Sequence, residues 1–141
     1  MRKEKQKIVA VSGGFDPIHV GHVRMILAAA EFGDVIVIAN SDNWLMRKKG
    51  YIFMPYEERQ EILYAIKGVV DVYEAQDDDD TVCKTLEKIN PDIFANGGDR
   101  KEGNVPEYEV CKKLEIEMKF GVGGLDKPQS SSWLVDNVRN K

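Results

Sequence analysis

Cysteine and histidine are scarce in this 141-residue chain, two of each, and no long apolar run is present. Cys83 and Cys111 form no C-x-x-C pair, which argues against a disulfide framework or a cysteine-rich zinc site and fits reduced thiols. No stretch approaches the roughly 20 apolar residues that span a bilayer. The charged start, Met1 to Lys7, lacks the apolar segment of a secretory signal. Positive charge is not in excess either: 20 Lys and Arg against 24 Asp and Glu leave a net charge of −4. That excludes a surface built for nucleic acid and requires any basic pocket to be local. The expectation is one soluble, cytoplasmic domain over residues 1–141, with a charged tail at 1–7 and neither a membrane nor a nucleic-acid partner.

What is abundant is alternation. Apolar, β-branched runs at 8–12, 35–39, 69–73, 93–95 and 118–122 predict strands. Helical patterns are predicted at 21–32, from about Pro55, at 81–89, at 104–114 and at 131–139, while the polar stretch 40–51 is expected as a loop. The predicted fold is a single Rossmann-like α/β domain of about five parallel strands with helices on both faces. Ligands of such sheets bind beyond the strand carboxyl ends. Polar segments at 13–22, 40–49, 96–100 and 123–132 would converge there. The run Asp77–Asp80 is expected as a solvated loop that caps the following helix at Thr81.

Both histidines fall in the decapeptide Gly13-Gly14-Phe15-Asp16-Pro17-Ile18-His19-Val20-Gly21-His22, between the first strand and the first helix. A glycine turn there presents backbone N–H groups to an anion, and the helix dipole adds to the attraction. Three readings of His19 and His22 stand open. They are a structural pair, or two ligands of a metal shared with Asp16, or donors that stabilise charge during phosphoryl or nucleotidyl transfer. Asp16 itself is either associated with Mg²⁺ or the cap of the turn.

The fixed positions Gly13, Phe15, Asp16, His19, Gly21 and His22 match G-x-F-D-x-x-H-x-G-H, and the chain thereby resembles the cytidylyltransferase-like nucleotidyltransferases. The resemblance implies that His19 and His22 contact nucleotide phosphates and stabilise the transition state at the α-phosphorus. Gly13, Gly14, Phe15, Asp16 and Gly21 would line the nucleotide. It further implies a phosphate-reaching lysine after the second strand, best matched by Lys49, with Lys48 as the alternative. Pro55-Tyr56-Glu57-Glu58-Arg59 is similar to the family's Y-E-x-R segment, so Arg59 either binds phosphate or pairs with Glu57 and Glu58. Lys67 stands where some relatives carry an active-site arginine. Asn96, Gly98 and Asp99 resemble the G-G-D turn at ribose and base. Lys127, Ser130 and Ser131 align with the closing R-x-E-G-x-S-T-T signature, although the arginine is missing and Lys127 or Gln129 must replace it.

The reaction so implied joins a nucleoside triphosphate, carried with Mg²⁺, to a phosphorylated small molecule and releases pyrophosphate. CTP is the favoured nucleotide on this reading and ATP the alternative, with an alcohol phosphate, a sugar phosphate or flavin mononucleotide as acceptor. A homodimer is expected, as many relatives form one. A non-catalytic nucleotide-binding module and a small metal hydrolase built on the histidine pair are the competing classes.

Overall fold

Val9 and Val11 turn to one side of the first strand and Ala10 to the other, and all three are sealed from solvent. A strand buried on both faces belongs inside a parallel sheet covered by helices. The computed structural model, which describes residues 6–76, 79, 81–97, 105–124 and 131–139, has that arrangement. Its elements run β1 (Ile8–Gly13), α1 (Val20–Ala29), β2 (Asp34–Ala39), α2 (Asp42–Lys49), α3 (Tyr56–Tyr64) and β3 (Val69–Glu74). They continue α4 (Cys83–Ile89), β4 (Ile93–Gly97), α5 (Tyr108–Lys113), β5 (Glu117–Val122) and α6 (Ser131–Arg139).

All strand pairs are parallel, in the order β3-β2-β1-β4-β5. The chain winds outward from β1 to β3, then returns to the other side of β1 for β4 and β5. The direction reverses between β1 and β4, which puts the switch-point crevice at their carboxyl ends. One core layer packs Val9, Val11, Val35, Val37 and Ile93 against Ile26 and Ala29 of α1 and Leu63 of α3. The other sets Ala10, Ile38 and Phe94 against Leu86 of α4 and Cys111 of α5. Each fully buried aliphatic side chain contributes about 1.5–3 kcal/mol.

Two expectations need correction. The stretch 40–51 is not a loop but contains α2. Ser41 caps it by accepting the Trp44 N–H, Asp42 sits in the first turn, three cations fill the last turn, and Gly50 closes it at φ +82°. Capping and dipole complementarity together outweigh the weak apolar periodicity. The N-cap of α4 is Val82 and not Thr81, although the Thr81 hydroxyl accepts the N–H of Cys83, the first residue of the helix, at 3.3 Å. The Val82 N–H donates to the buried Glu107 carboxylate, 3.0 Å away. Asp79 serves the turn, accepting from the N–H and hydroxyl of Thr81.

Candidate active site

His19 is the N-cap of α1 and His22 lies three residues on, and the two cap each other's backbone. The Gly21 N–H donates to His19 Nδ1 at 3.1 Å, and the His19 N–H donates to His22 Nδ1 at 3.2 Å. Histidine thus fills both roles of a reciprocal capping box. The rings stack, with centroids 3.8 Å apart and planes 22° from parallel. Because each Nδ1 lone pair is spent on an N–H, a neutral imidazole here carries its proton on Nε2. The pair is therefore built to donate from Nε2, not to accept a proton at Nδ1. Burial, then the neighbouring His19, then Lys49 lower the His22 pKa from 6.5 to about 3, so His22 is neutral at physiological pH.

Phe15 supports this pair from below. It is buried, adopts φ +54°, and meets the His22 ring edge-on at 4.8 Å. Its predicted contact with nucleotide is not what the structure shows, since its ring lies in the core under the histidines. Gly13 gives that ring room, since a Cβ there would stand 3.2 Å from it. Gly14 borders Leu45 and Trp44 of α2, where Trp44 packs. The N–H of Gly21, a residue expected to line the nucleotide, donates to His19.

Asp16 also corrects an expectation. It is fully buried, and its two carboxylate oxygens accept the N–H groups of Phe53, at 2.7 Å, and Met54. A carboxylate enclosed in this way is a loop anchor and does not fit a Mg²⁺ ligand. Among the described residues no three His, Cys, Asp or Glu side chains are grouped to hold a metal.

Lys49, in the last turn of α2, reaches back to the motif and donates to the Asp16 carbonyl at 3.2 Å. Burial lowers its pKa, the Asp16 carboxylate opposes that, and the Arg59 guanidinium reinforces it. Lys48 is on the exposed side of α2. Arg59 is not a phosphate ligand in this structure. It is fully buried and donates to Met54 O at 2.9 Å, Gly14 O and Asn40 O at 2.8 Å each, and Asp42 Oδ1 at 2.7 Å. Nor is the expected pairing with Glu57 and Glu58 what forms, since the acid that Arg59 meets is Asp42. Lys67 is exposed in the turn before β3, at the amino end of a six-residue strand. That is about 20 Å from the carboxyl ends, so the structure does not bring Lys67 to the crevice.

On the far side of the switch point, Asn96 near the end of β4 is buried, and its Oδ1 has no hydrogen-bond partner among the described residues. The next residue, Gly97, and Gly123 after β5 both press on Met25 of α1. A Cβ on either would come within 2.9 Å of that methionine. Ser131, first in α6, donates its hydroxyl to the Pro17 carbonyl at 2.8 Å, which seats this helix start beside the histidine motif. Gly98, Asp99, Lys127 and Ser130 lie outside the described residues.

Sequence reasoning missed the backbone of residues 53–54 as partner of Asp16, and missed Asn40 and Asp42 as partners of Arg59. The signal for Asp42 was its place in the first turn after a Ser41 cap. Backbone partners leave no signal in residue identity.

The chain is 34% identical over 122 residues to the FAD synthase of Thermococcus onnurineus, covering 84% of this chain and 75% of the relative. It is 39% identical over 143 residues to the bifunctional protein HldE of Hahella chejuensis, which spans 98% of this chain but 29% of that longer protein. Among solved structures, the lipopolysaccharide core biosynthesis protein of Thermoplasma volcanium superposes with a TM-score of 0.65 at 25% identity. That match covers 82% of this chain and 94% of the other. With residues 10–120 matching the family model, the chain belongs to the cytidylyltransferase-like family of nucleotidyltransferases.

Proposed function

We propose that this protein transfers an adenylyl group from MgATP to the phosphate of a small-molecule acceptor and releases pyrophosphate. The observation that carries the reading is the histidine pair, whose Nδ1 atoms are both held by backbone N–H groups at the start of α1. An acceptor phosphate oxygen attacks the α-phosphorus, a new P–O bond forms, and the bond to the β-phosphate breaks. Pyrophosphate leaves with the electron pair. The negative charge spread over the α-phosphoryl oxygens meets the Nε2–H donors and the Lys49 ammonium. Neither imidazole needs to accept a proton, because an ionised phosphate is already nucleophilic. Positioning and electrostatics then supply the catalysis.

The choice of ATP corrects the preference for CTP drawn from sequence alone. FAD is an adenylylated flavin mononucleotide, so an FAD synthase is an adenylyl-transferring relative, and it is matched over three quarters of its length. Residue identities near Asn96 and Ser131 did not separate the two bases. The metal travels with the triphosphate in this reading, since Asp16 does not fit as its ligand. A second copy of the chain in a homodimer is also part of the proposal.

The test is pyrophosphate release from MgATP and from MgCTP across flavin mononucleotide, sugar 1-phosphates and glycerol 3-phosphate. ATP is expected to support turnover with at least one acceptor at ten times the rate of CTP or more. Faster turnover with CTP would restore the cytidylyl reading. Binding of nucleotide without release in any combination would favour the non-catalytic module.

A further inference from the structure

Arg59 is the largest fully buried side chain of the described protein, and it carries a charge. Taking an arginine out of water is costly unless nearly all its donors are satisfied. Here four bonds satisfy it, and the four acceptors come from four different segments: Gly14 from the histidine loop, Asn40 from the end of β2, Asp42 from the start of α2, and Met54 from the loop before α3. Asp16 holds that same last loop through the N–H groups of Phe53 and Met54. The Phe53–Met54 segment is therefore held by a carboxylate at its two N–H groups and by a guanidinium at the Met54 carbonyl.

We infer that Asp16 and Arg59 form a buried clasp that sets where Lys49 stands relative to His19 and His22, and that Arg59 is a positioning residue for transfer. The inference rests on the adenylyl-transfer reading above. Lys49 touches the histidine loop through a bond to the Asp16 carbonyl, and α2 packs on that loop where Leu45 and Trp44 border Gly14. Apolar packing sets the spacing but not the directions of polar groups; Arg59 adds directed bonds between the two, to Asp42 at one end of α2 and to Gly14 within the loop. A planar fork can reach acceptors in several directions at once. A lysine keeps the charge but cannot serve four acceptors spread round a plane.

Clasp and phosphate ligand make different predictions for Arg59→Lys. A phosphate ligand holds bound ATP as well as the transition state, so its loss weakens both. A clasp acts on geometry that matters most when charge develops, so turnover falls while ATP binding changes little. The expected result is a folded variant with kcat at least 10-fold lower and a Kd for MgATP within 3-fold of the parent, by calorimetry. Asp42→Ala removes one bond at a half-exposed partner and secures the test if Arg59→Lys does not fold; its kcat should fall about 3-fold, again at unchanged ATP affinity.

Full turnover in either folded variant would overturn the clasp and leave the adenylyl-transfer reading standing. A rise in Kd that matches the fall in kcat would make Arg59 a phosphate ligand and overturn it as well. A parent protein that turns over no nucleotide with any acceptor would remove the underlying reading and this inference together.

Discussion

Where β1 and β2 end, Asp16 and Arg59 are sealed from solvent and every bond they make is to a neighbouring loop or helix start. Where β4 and β5 end, Asn96 is nearly as buried, yet its Oδ1 has no partner among the described residues. Glycines rather than polar bonds set the approach of α1 there. The first side is rigid through charge and hydrogen bonding, the second through steric contact. Charge-handling groups need fixed directions, which polar bonds supply. A surface that brings backbone close to a ligand needs small residues, which glycine supplies.

That contrast is sharpest at the histidines. His22→Ala removes an Nε2–H donor and the acceptor that caps the His19 N–H, and should lower turnover about 10²–10³-fold by pyrophosphate release. The melting temperature should drop by only a few degrees, because one cap is worth about 1 kcal/mol. Next in size is the steric side. Gly123→Ala must place a Cβ at φ +86° and 2.9 Å from the Met25 Cα, and should cost about 2–4 kcal/mol in chemical unfolding. Gly50→Ala, at φ +82° with nothing within 4 Å, should cost only about 1–2 kcal/mol. Equal costs would show that backbone conformation alone matters and that the contact on Met25 does not.

Asn96→Ala should cost less than about 1 kcal/mol although the residue is buried, since the lost Nδ2 bonds are long, 3.4 and 3.5 Å, and the orphaned Oδ1 goes with them. A loss of several kcal/mol would mean that the two sides are wired alike. A further effect, which grows as the pH falls, is expected in acid. The folded protein holds His22 neutral down to about pH 3, whereas the unfolded chain takes up that proton near pH 6.5. Stability contributed by the neutral ring is complete above 6.5 and is lost as pH falls from there toward 3. His22→Gln should flatten that slope in a series of melts.

The sheet was legible because its strands are apolar on both faces and its helices are amphipathic, both of which are properties of side chains. The predicted strands differ from the observed ones only at their ends. Helix α2 was hidden because Arg47, Lys48 and Lys49 leave its apolar face thin, while its caps, Ser41 and Gly50, were in plain view. In the site, the histidine motif and Lys49 were legible as a group, since rare residue types at fixed spacing carry information. The roles of Asp16, Phe15 and Arg59 were not. Whether a carboxylate meets a metal or two peptide N–H groups depends on a loop 37 residues away. Whether an arginine faces phosphate or carbonyls depends on what surrounds it after folding. Lys67 failed for a simpler reason, since it precedes a strand whose other end faces the crevice.

The account rests most heavily on a histidine that stays neutral with its proton on Nε2. Since the chain holds only two histidines, long-range ¹H–¹⁵N correlation spectra of the imidazoles give two resolvable ring patterns. The account predicts that the His22 pattern, assigned by its absence in His22→Gln, shows an unprotonated Nδ1 and a protonated Nε2, unchanged between about pH 5 and 8. A ring that titrates near pH 6.5, or one protonated on Nδ1, would contradict it.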